Sequence, residues 1–235
     1  MTADQLADLV RDKSVVLLDF DGPVCSVFAG YPASKVAEEL RQIAGVTGTE
    51  FDAEDDPLQL LVRLSRILPH DVTRAVADAL RDKETQAIQT AQPAPGGSAI
   101  IQAARRSGRR ISLVSNNSSA AIDAYLRRHA LTELVDEVSA RYDDMDPRLL
   151  KPNTHLLERA LTRLDIAGPH AIFVGDSPSD ITAGSACDIP TIGYANRPAK
   201  KQPLASAGAT AVVANLREIA HACIANPYRT RPSLE

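Results

Sequence analysis

Residues Val15 to Pro23 read VVLLDFDGP. Four aliphatic residues run without a polar break into two aspartates separated by one residue, and a glycine and a proline stop the run. A short unbroken apolar run closed by turn formers is the pattern of a strand buried on both faces, as in a parallel sheet. Side chains two apart on an extended chain point the same way, so Asp19 and Asp21 are aimed at one spot beyond the strand's carboxyl end. That edge is where open α/β sheets bind ligands. Two neighbouring carboxylates repel each other unless a proton or a cation lies between them. The stretch therefore predicts a divalent-cation site or an acid/base site.

The surrounding chain bounds the choice. Its 235 residues suit one core domain with a modest insertion, and a hydrophobic share of 44% supplies a sizeable core. Lys plus Arg total 26 against 30 Asp plus Glu, so a net charge of -4 gives no bulk electrostatic case for nucleic acid or an anionic membrane. Cys25, Cys187 and Cys223 are too scattered for a disulfide framework or a zinc site and fit a reducing compartment. The stretch MTADQLADLVRDK has no apolar leader core, and no apolar run is long enough to span a bilayer. A cytoplasmic protein without a membrane partner is expected; oligomeric state is left open.

Outward from the strand, residues 3 to 12 carry Leu6, Leu9 and Val10 on one side of a short helix. Beyond Pro23, three helical patterns follow one another: Val36, Ala37, Leu40 and Ile43; Leu58, Leu61, Leu64 and Leu68; then Val72, Val76, Ala79 and Leu80 with Asp71 as N-cap. No strand pattern interrupts them, so 24–92 reads as a small all-helical insertion. QPAPGG (Gln92 to Gly97) is a hinge by composition, and Ser98 is placed to cap the next helix. From there short buried strands alternate with helices: ISLVS ending at Ser115, a weaker strand over 135–140, Ala171 to Val174, Pro190 to Tyr194, and Ala211 to Val213. Asn116, Asn117 and Ser118 read as a polar loop. Alternation of this kind implies a Rossmann-like parallel sheet with helices on both faces.

The strand ends gather the chemistry. Asp19 and Asp21, Ser115, and Asp176 with Asp180 each follow an apolar run, and Lys151 precedes a helical pattern. In a parallel sheet these ends share one edge. The carboxylates suit Mg²⁺, a hard cation that prefers oxygen, and the hydroxyl, loop amides and ammonium suit phosphate oxygens. Four short motifs, LLDFDG (Leu17 to Gly22), LVSNN (Leu113 to Asn117), Lys151-Pro152 and GDSPSD (Gly175 to Asp180), occur in order. Together they resemble the four motifs of the haloacid dehalogenase superfamily in its phosphatase branch.

The resemblance implies a Mg²⁺-dependent phosphatase acting on a small phosphorylated metabolite through an aspartyl phosphate. Asp19 is similar to the family's nucleophile and Asp21 to its general acid and base. Asp19, the main-chain carbonyl of Asp21, and Asp176 would hold Mg²⁺, with Asp180 assisting directly or through water. Ser115, the amide of Asn116, and Lys151 would bind the transferring phosphoryl group. Residues 1–23 and 93–235 would form the α/β core, and 24–92 a helical cap of phosphoglycolate phosphatase or β-phosphoglucomutase type. A phosphosugar mutase and a non-catalytic regulatory protein are the alternatives on the same fold. Pro23, Ser115 in place of the commoner threonine, and KPN in the third motif depart from the family's usual pattern without removing a reactive group.

Overall fold

The computed structural model describes residues 2–48, 51 and 54–228. Helix α1 (Ala3–Arg11) precedes strand β1 (Val15–Leu18), and a two-residue strand β2 (Cys25–Ser26) follows. Then come α2 (Ala33–Ala44), α3 (Pro57–Leu64), α4 (His70–Ala87) and β3 (Gln92–Pro93). The remainder is α5 (Gly97–Arg106), β4 (Arg110–Ser118), α6 (Ser119–Arg128), β5 (Glu137–Arg141), α7 (His155–Arg163), β6 (Ala171–Gly175), α8 (Pro178–Ala186), β7 (Thr191–Tyr194), α9 (Lys201–Ser206), β8 (Ala211–Val213) and α10 (Leu216–Ala225).

The six long strands form one parallel sheet in the order β5-β4-β1-β6-β7-β8. The two-residue period of VVLL decides how it is covered. Val16 and Leu18 enter one buried cluster with Ile111, Leu113, Ile172 and Val174 and with residues of α1, α5, α6 and α10. Val15 and Leu17 enter a second cluster, on the other side, with Val114, Phe173 and residues of α7 and α8. A strand apolar at every position is what a sheet coated on both faces requires.

Register sets the site. Leu18 stands level with Leu113 of β4 and with Val174 of β6. The polar residues that follow each of these three central strands are therefore carried to the same edge. Residues 33–87 build a third apolar cluster from Val36, Leu40, Phe51, Leu60, Leu61, Leu64, Val76 and Leu80. The segment leaves and returns through β2 and β3, which pair antiparallel with Cys25 opposite Pro93 and Ser26 opposite Gln92.

Three local expectations are corrected. Asn116, Asn117 and Ser118 belong to β4, with a register shift against β5 between Ser115 and Ser118. Helix α4 starts at His70 with Pro69 as N-cap, so Asp71 sits inside its first turn, where an acid meets the positive end of the dipole. Gly96, at φ +92, caps α5 in place of Ser98. Among the described residues no helix is long and apolar enough to cross a membrane.

Candidate active site

Asp19 is the first residue past β1, and its N–H donates to Val174 O at 2.9 Å, holding it between β1 and β6. Its Oδ1 accepts the Phe20 N–H at 2.7 Å and Lys151 Nζ at 2.9 Å. The turn beyond is tight: the Val24 and Cys25 N–H groups both donate to Phe20 O at 3.1 Å. This bends the chain so that Asp21 Oδ1 accepts the Val27 N–H at 3.0 Å. Gly22 adopts φ +111, and a Cβ there would stand 2.3 Å from Asp176 Oδ2. The glycine of the first motif is thus required by the aspartate of the fourth.

Asp176 and Asp180 are placed by the start of α8. Ser177 is its N-cap and Pro178 its first residue, and Ser177 and Asp180 form a reciprocal capping box. Asp180 Oδ2 accepts the Asp176 N–H at 3.1 Å, the Ser177 N–H at 3.0 Å and Ser177 Oγ at 2.7 Å. Its Oδ1 is turned the other way, buried, and forms an ion pair with Lys151 Nζ at 2.7 Å. Carboxylate oxygens of Asp19, Asp176 and Asp180 lie within 4.8 Å of one another. Ligands on one hard cation at about 2.1–2.4 Å stand at most about 4–5 Å apart, so the three carboxylates fit a divalent cation.

Lys151 is buried, and its Nζ donates to Val114 O at 2.9 Å besides its contacts with the two aspartates. Asn116 presents its side chain to the Lys151 backbone, Nδ2 donating to Lys151 O at 3.1 Å and Oδ1 accepting Lys151 N–H at 2.8 Å. Ser115 Oγ accepts the Asn117 N–H and donates to Asn117 Oδ1, both at 3.2 Å. The structure thus gathers Asp19, Asp176, Asp180 and Lys151 into one cluster, with Ser115 and Asn116 on the adjoining strand end. The Asp21 carboxylate is turned to Val27 and is not one of the three clustered acids.

Electrostatics follow from burial. The Asp19 carboxyl is pushed up to about 8, first by burial and then by Asp180, with Lys151 pulling the other way. Asp21 is pushed up to about 6, mainly by burial and against the Val27 hydrogen bond. Asp176 is raised by burial and opposed by Lys200. One buried ammonium cannot neutralise two carboxylates, so Lys151 stays firmly protonated while Asp19 is driven towards the neutral acid.

Several residues at this edge escaped the sequence reading. Lys200, just before α9, contacts Asp176 Oδ2, and nothing in its surroundings in the sequence marks it. Glu84 and Arg141 form a buried ion pair at 2.6 Å beside Asn117 and Ser118. Glu84 does carry a signal: it is an acid in the otherwise buried stripe Thr73, Val76, Leu80 and Ala87 of α4. A cavity of about 280 Å³ lies beside this ion pair, lined by Thr73, Arg74, Arg81, Ser118, Arg141 and Tyr142 among others, and none of the seven expected site residues lines it.

The family model described as haloacid dehalogenase-like hydrolase matches residues 27–194. The match begins after Asp19 and Asp21, so the first motif rests on its own residues and geometry. A phosphoglycolate phosphatase of Cupriavidus necator is 28% identical over 231 residues, 94% of this chain and 96% of that one. A phosphoglycolate phosphatase of Rhodospirillum rubrum is 28% identical over 169 residues, 70% of this chain but only 61% of its own length. The crystal structure of a predicted phosphatase from Clostridium acetobutylicum shares the fold with a TM-score of 0.72 at 17% identity, covering 89% of this chain and 97% of that one. With its sheet, its clustered strand-end aspartates and this match, the chain belongs to the haloacid dehalogenase-like hydrolases.

Proposed function

We propose that this hydrolase is a phosphatase of a small phosphorylated metabolite, acting through an aspartyl phosphate on Asp19 with Mg²⁺ as cofactor. The observation that carries the reading is the Asp19 carboxylate at the end of β1, 2.9 Å from Lys151 Nζ and within one cluster with Asp176 and Asp180. In this reading an oxygen of Asp19 attacks phosphorus while the bond to the leaving oxygen breaks. The Asp21 carboxyl gives that oxygen a proton. Water then attacks the same phosphorus, Asp21 takes back a proton, phosphate leaves and Asp19 is restored. A group near 6, as Asp21 is, can both give and take a proton near neutrality. Lys151, Ser115 and the Asn116 amide would hold the phosphoryl oxygens, the last two from the end of β4. Asp19, Asp176 and Asp180, with the carbonyl of Asp21, would hold Mg²⁺, whose charge would keep Asp19 ionised and offset repulsion between carboxylate and phosphate.

Residues 24–92 act as the cap in this proposal, and β2 and β3 as its hinge. Asp19 is 8% exposed and Lys151 3%, and a cap over this edge would open to admit a substrate and exclude water on closing. Cytoplasmic residence fits the three free cysteines. Phosphoglycolate, the substrate in the names of both relatives, is the first compound to test, within a panel of phosphorylated metabolites read by phosphate release with Mg²⁺. Asp19→Asn should abolish turnover. Wild-type rates in that variant, with contaminants excluded, overturn the assignment. Conversion of a sugar phosphate to its isomer without phosphate release replaces it by a mutase.

A further inference from the structure

At the end of β4, beside the residues read above as the phosphate grip, lies a second polar assembly that this reaction does not use. Glu84 of α4 is fully buried, as are Asn117 and Ser118, and Arg141 at the end of β5 is 4% exposed. Glu84 Oε1 accepts Asn117 Nδ2 at 3.1 Å. Glu84 Oε2 accepts the Ser118 N–H at 2.9 Å and Arg141 Nη2 at 2.6 Å. Arg141 spends its other donors on main chain, Nε on Asn116 O at 3.1 Å and Nη1 on Ala77 O at 3.2 Å. The assembly therefore grips Asn116, Asn117 and Ser118 in turn, and it reaches them from a helix of the 24–92 segment.

Its effect on Ser115 follows from donor and acceptor roles. An amide side chain has one accepting and one donating end. Glu84, a carboxylate, takes the donating end of Asn117, which turns Asn117 Oδ1 towards Ser115 Oγ at 3.2 Å. The Asn117 N–H donates to that same Oγ. One lone pair of Ser115 is thereby occupied, and among the described residues its proton has one acceptor, Asn117 Oδ1, from which it can turn to an incoming phosphoryl oxygen. Without Glu84, the Asn117 side chain is free to swing away from Ser115, and the hydroxyl loses the side-chain partner that fixes its rotamer. A buried ion pair is a poor device for stability, since apolar residues of similar volume commonly replace one without loss. It is a good device for fixing an orientation.

We propose that Glu84, through Asn117 and with Arg141 as its counter-ion, is a positioning residue that holds the Ser115 hydroxyl in place for the transferring phosphoryl group. This rests on the phosphatase reading, and its test separates the two. Ser115→Ala should lower kcat/KM for p-nitrophenyl phosphate about 100-fold, the loss of one preorganised donor. Glu84→Gln should lower it about tenfold and weaken competitive inhibition by inorganic phosphate by a similar factor. In the Ser115→Ala background, Glu84→Gln should then change either quantity less than about twofold, because the group it acts through is gone. If Glu84→Gln does not fold, Asn117→Ala breaks the link while sparing the ion pair and should give the same pattern. Factors that multiply, or single variants with unchanged phosphate inhibition, overturn the inference alone. A wild-type protein that neither turns over a phosphomonoester nor binds phosphate overturns the phosphatase reading and this inference with it.

Discussion

At the scale of single residues, two positions show how closely the motifs interlock. Gly22 holds φ +111 with Asp176 packed where a Cβ would go, 2.3 Å from Oδ2. Gly22→Ala is expected to suffer twice, by about 1–3 kcal/mol of backbone strain and by pushing Asp176 out of the carboxylate cluster. Calorimetric titration with Mg²⁺ should show at least a tenfold loss of affinity; unchanged affinity would mean that Asp176 is not needed to hold the ion. Asn116 shows a role that the motif resemblance did not carry. The resemblance assigned its amide to phosphate, whereas its side chain closes two hydrogen bonds on the Lys151 backbone, at 2.8 and 3.1 Å. Asn116→Ala should lower stability by about 1–3 kcal/mol, since it strips two polar main-chain groups of their partners. It should also lower kcat by loosening Lys151. Chemical denaturation together with steady-state kinetics checks both halves, and a variant with wild-type kcat removes the second.

At the scale of elements, legibility tracks how local the determining contacts are. The start of α8 is set by SPSD alone, whose capping box is closed within one turn of chain. β1 could be read because its neighbours only had to be apolar, and every residue of VVLL is buried. The end of β4 could not. Asn116, Asn117 and Ser118 have the composition of a loop, and they stay extended because Glu84, 34 residues before Ser118, and Arg141, 25 residues after Asn116, occupy their polar groups. α9 escaped for a related reason, as a six-residue helix with Pro203 in its first turn is sustained by the packing of Leu204. The locality of α8 makes it the cleaner test. Ser177→Ala removes the side-chain cap and one of the three donors to Asp180 Oδ2. The expected destabilisation is about 1 kcal/mol by urea unfolding, with Mg²⁺ affinity reduced as Asp180 loosens. A loss of stability with no change in Mg²⁺ affinity would separate the cap from the metal site.

At the scale of the whole molecule, the sheet imposes an electrostatic burden that no single motif shows. Parallel register brings the ends of β4, β1 and β6 level, and burial removes the water that would otherwise screen their acids. The consequence is a sign for the pH dependence of stability. Asp19 is raised from 3.8 to about 8 and Asp21 from 3.8 to about 6, so each binds its proton more tightly in the folded than in the unfolded chain. Their stabilising contribution is complete below the unfolded value and is lost as pH rises through 6 and then 8. Glu39 and Asp146 are lowered by their basic partners and act oppositely, but their contribution is gained as pH rises through the unfolded values of 4.5 and 3.8 and is nearly level above pH 5. The metal-free protein is therefore expected to lose thermal stability steadily between pH 5 and pH 8. A divalent cation binds the deprotonated cluster and should reverse that loss, so the rise in Tm on adding Mg²⁺ should be larger at pH 8 than at pH 5. Thermal unfolding in EDTA and in excess Mg²⁺ at the two pH values measures both quantities. Asp19→Asn, which removes the most strongly raised carboxyl, should flatten the metal-free slope. A Tm that climbs from pH 5 to pH 8 without metal, or an equal Mg²⁺ shift at both, would show that the carboxylate cluster is not strained by its own charge.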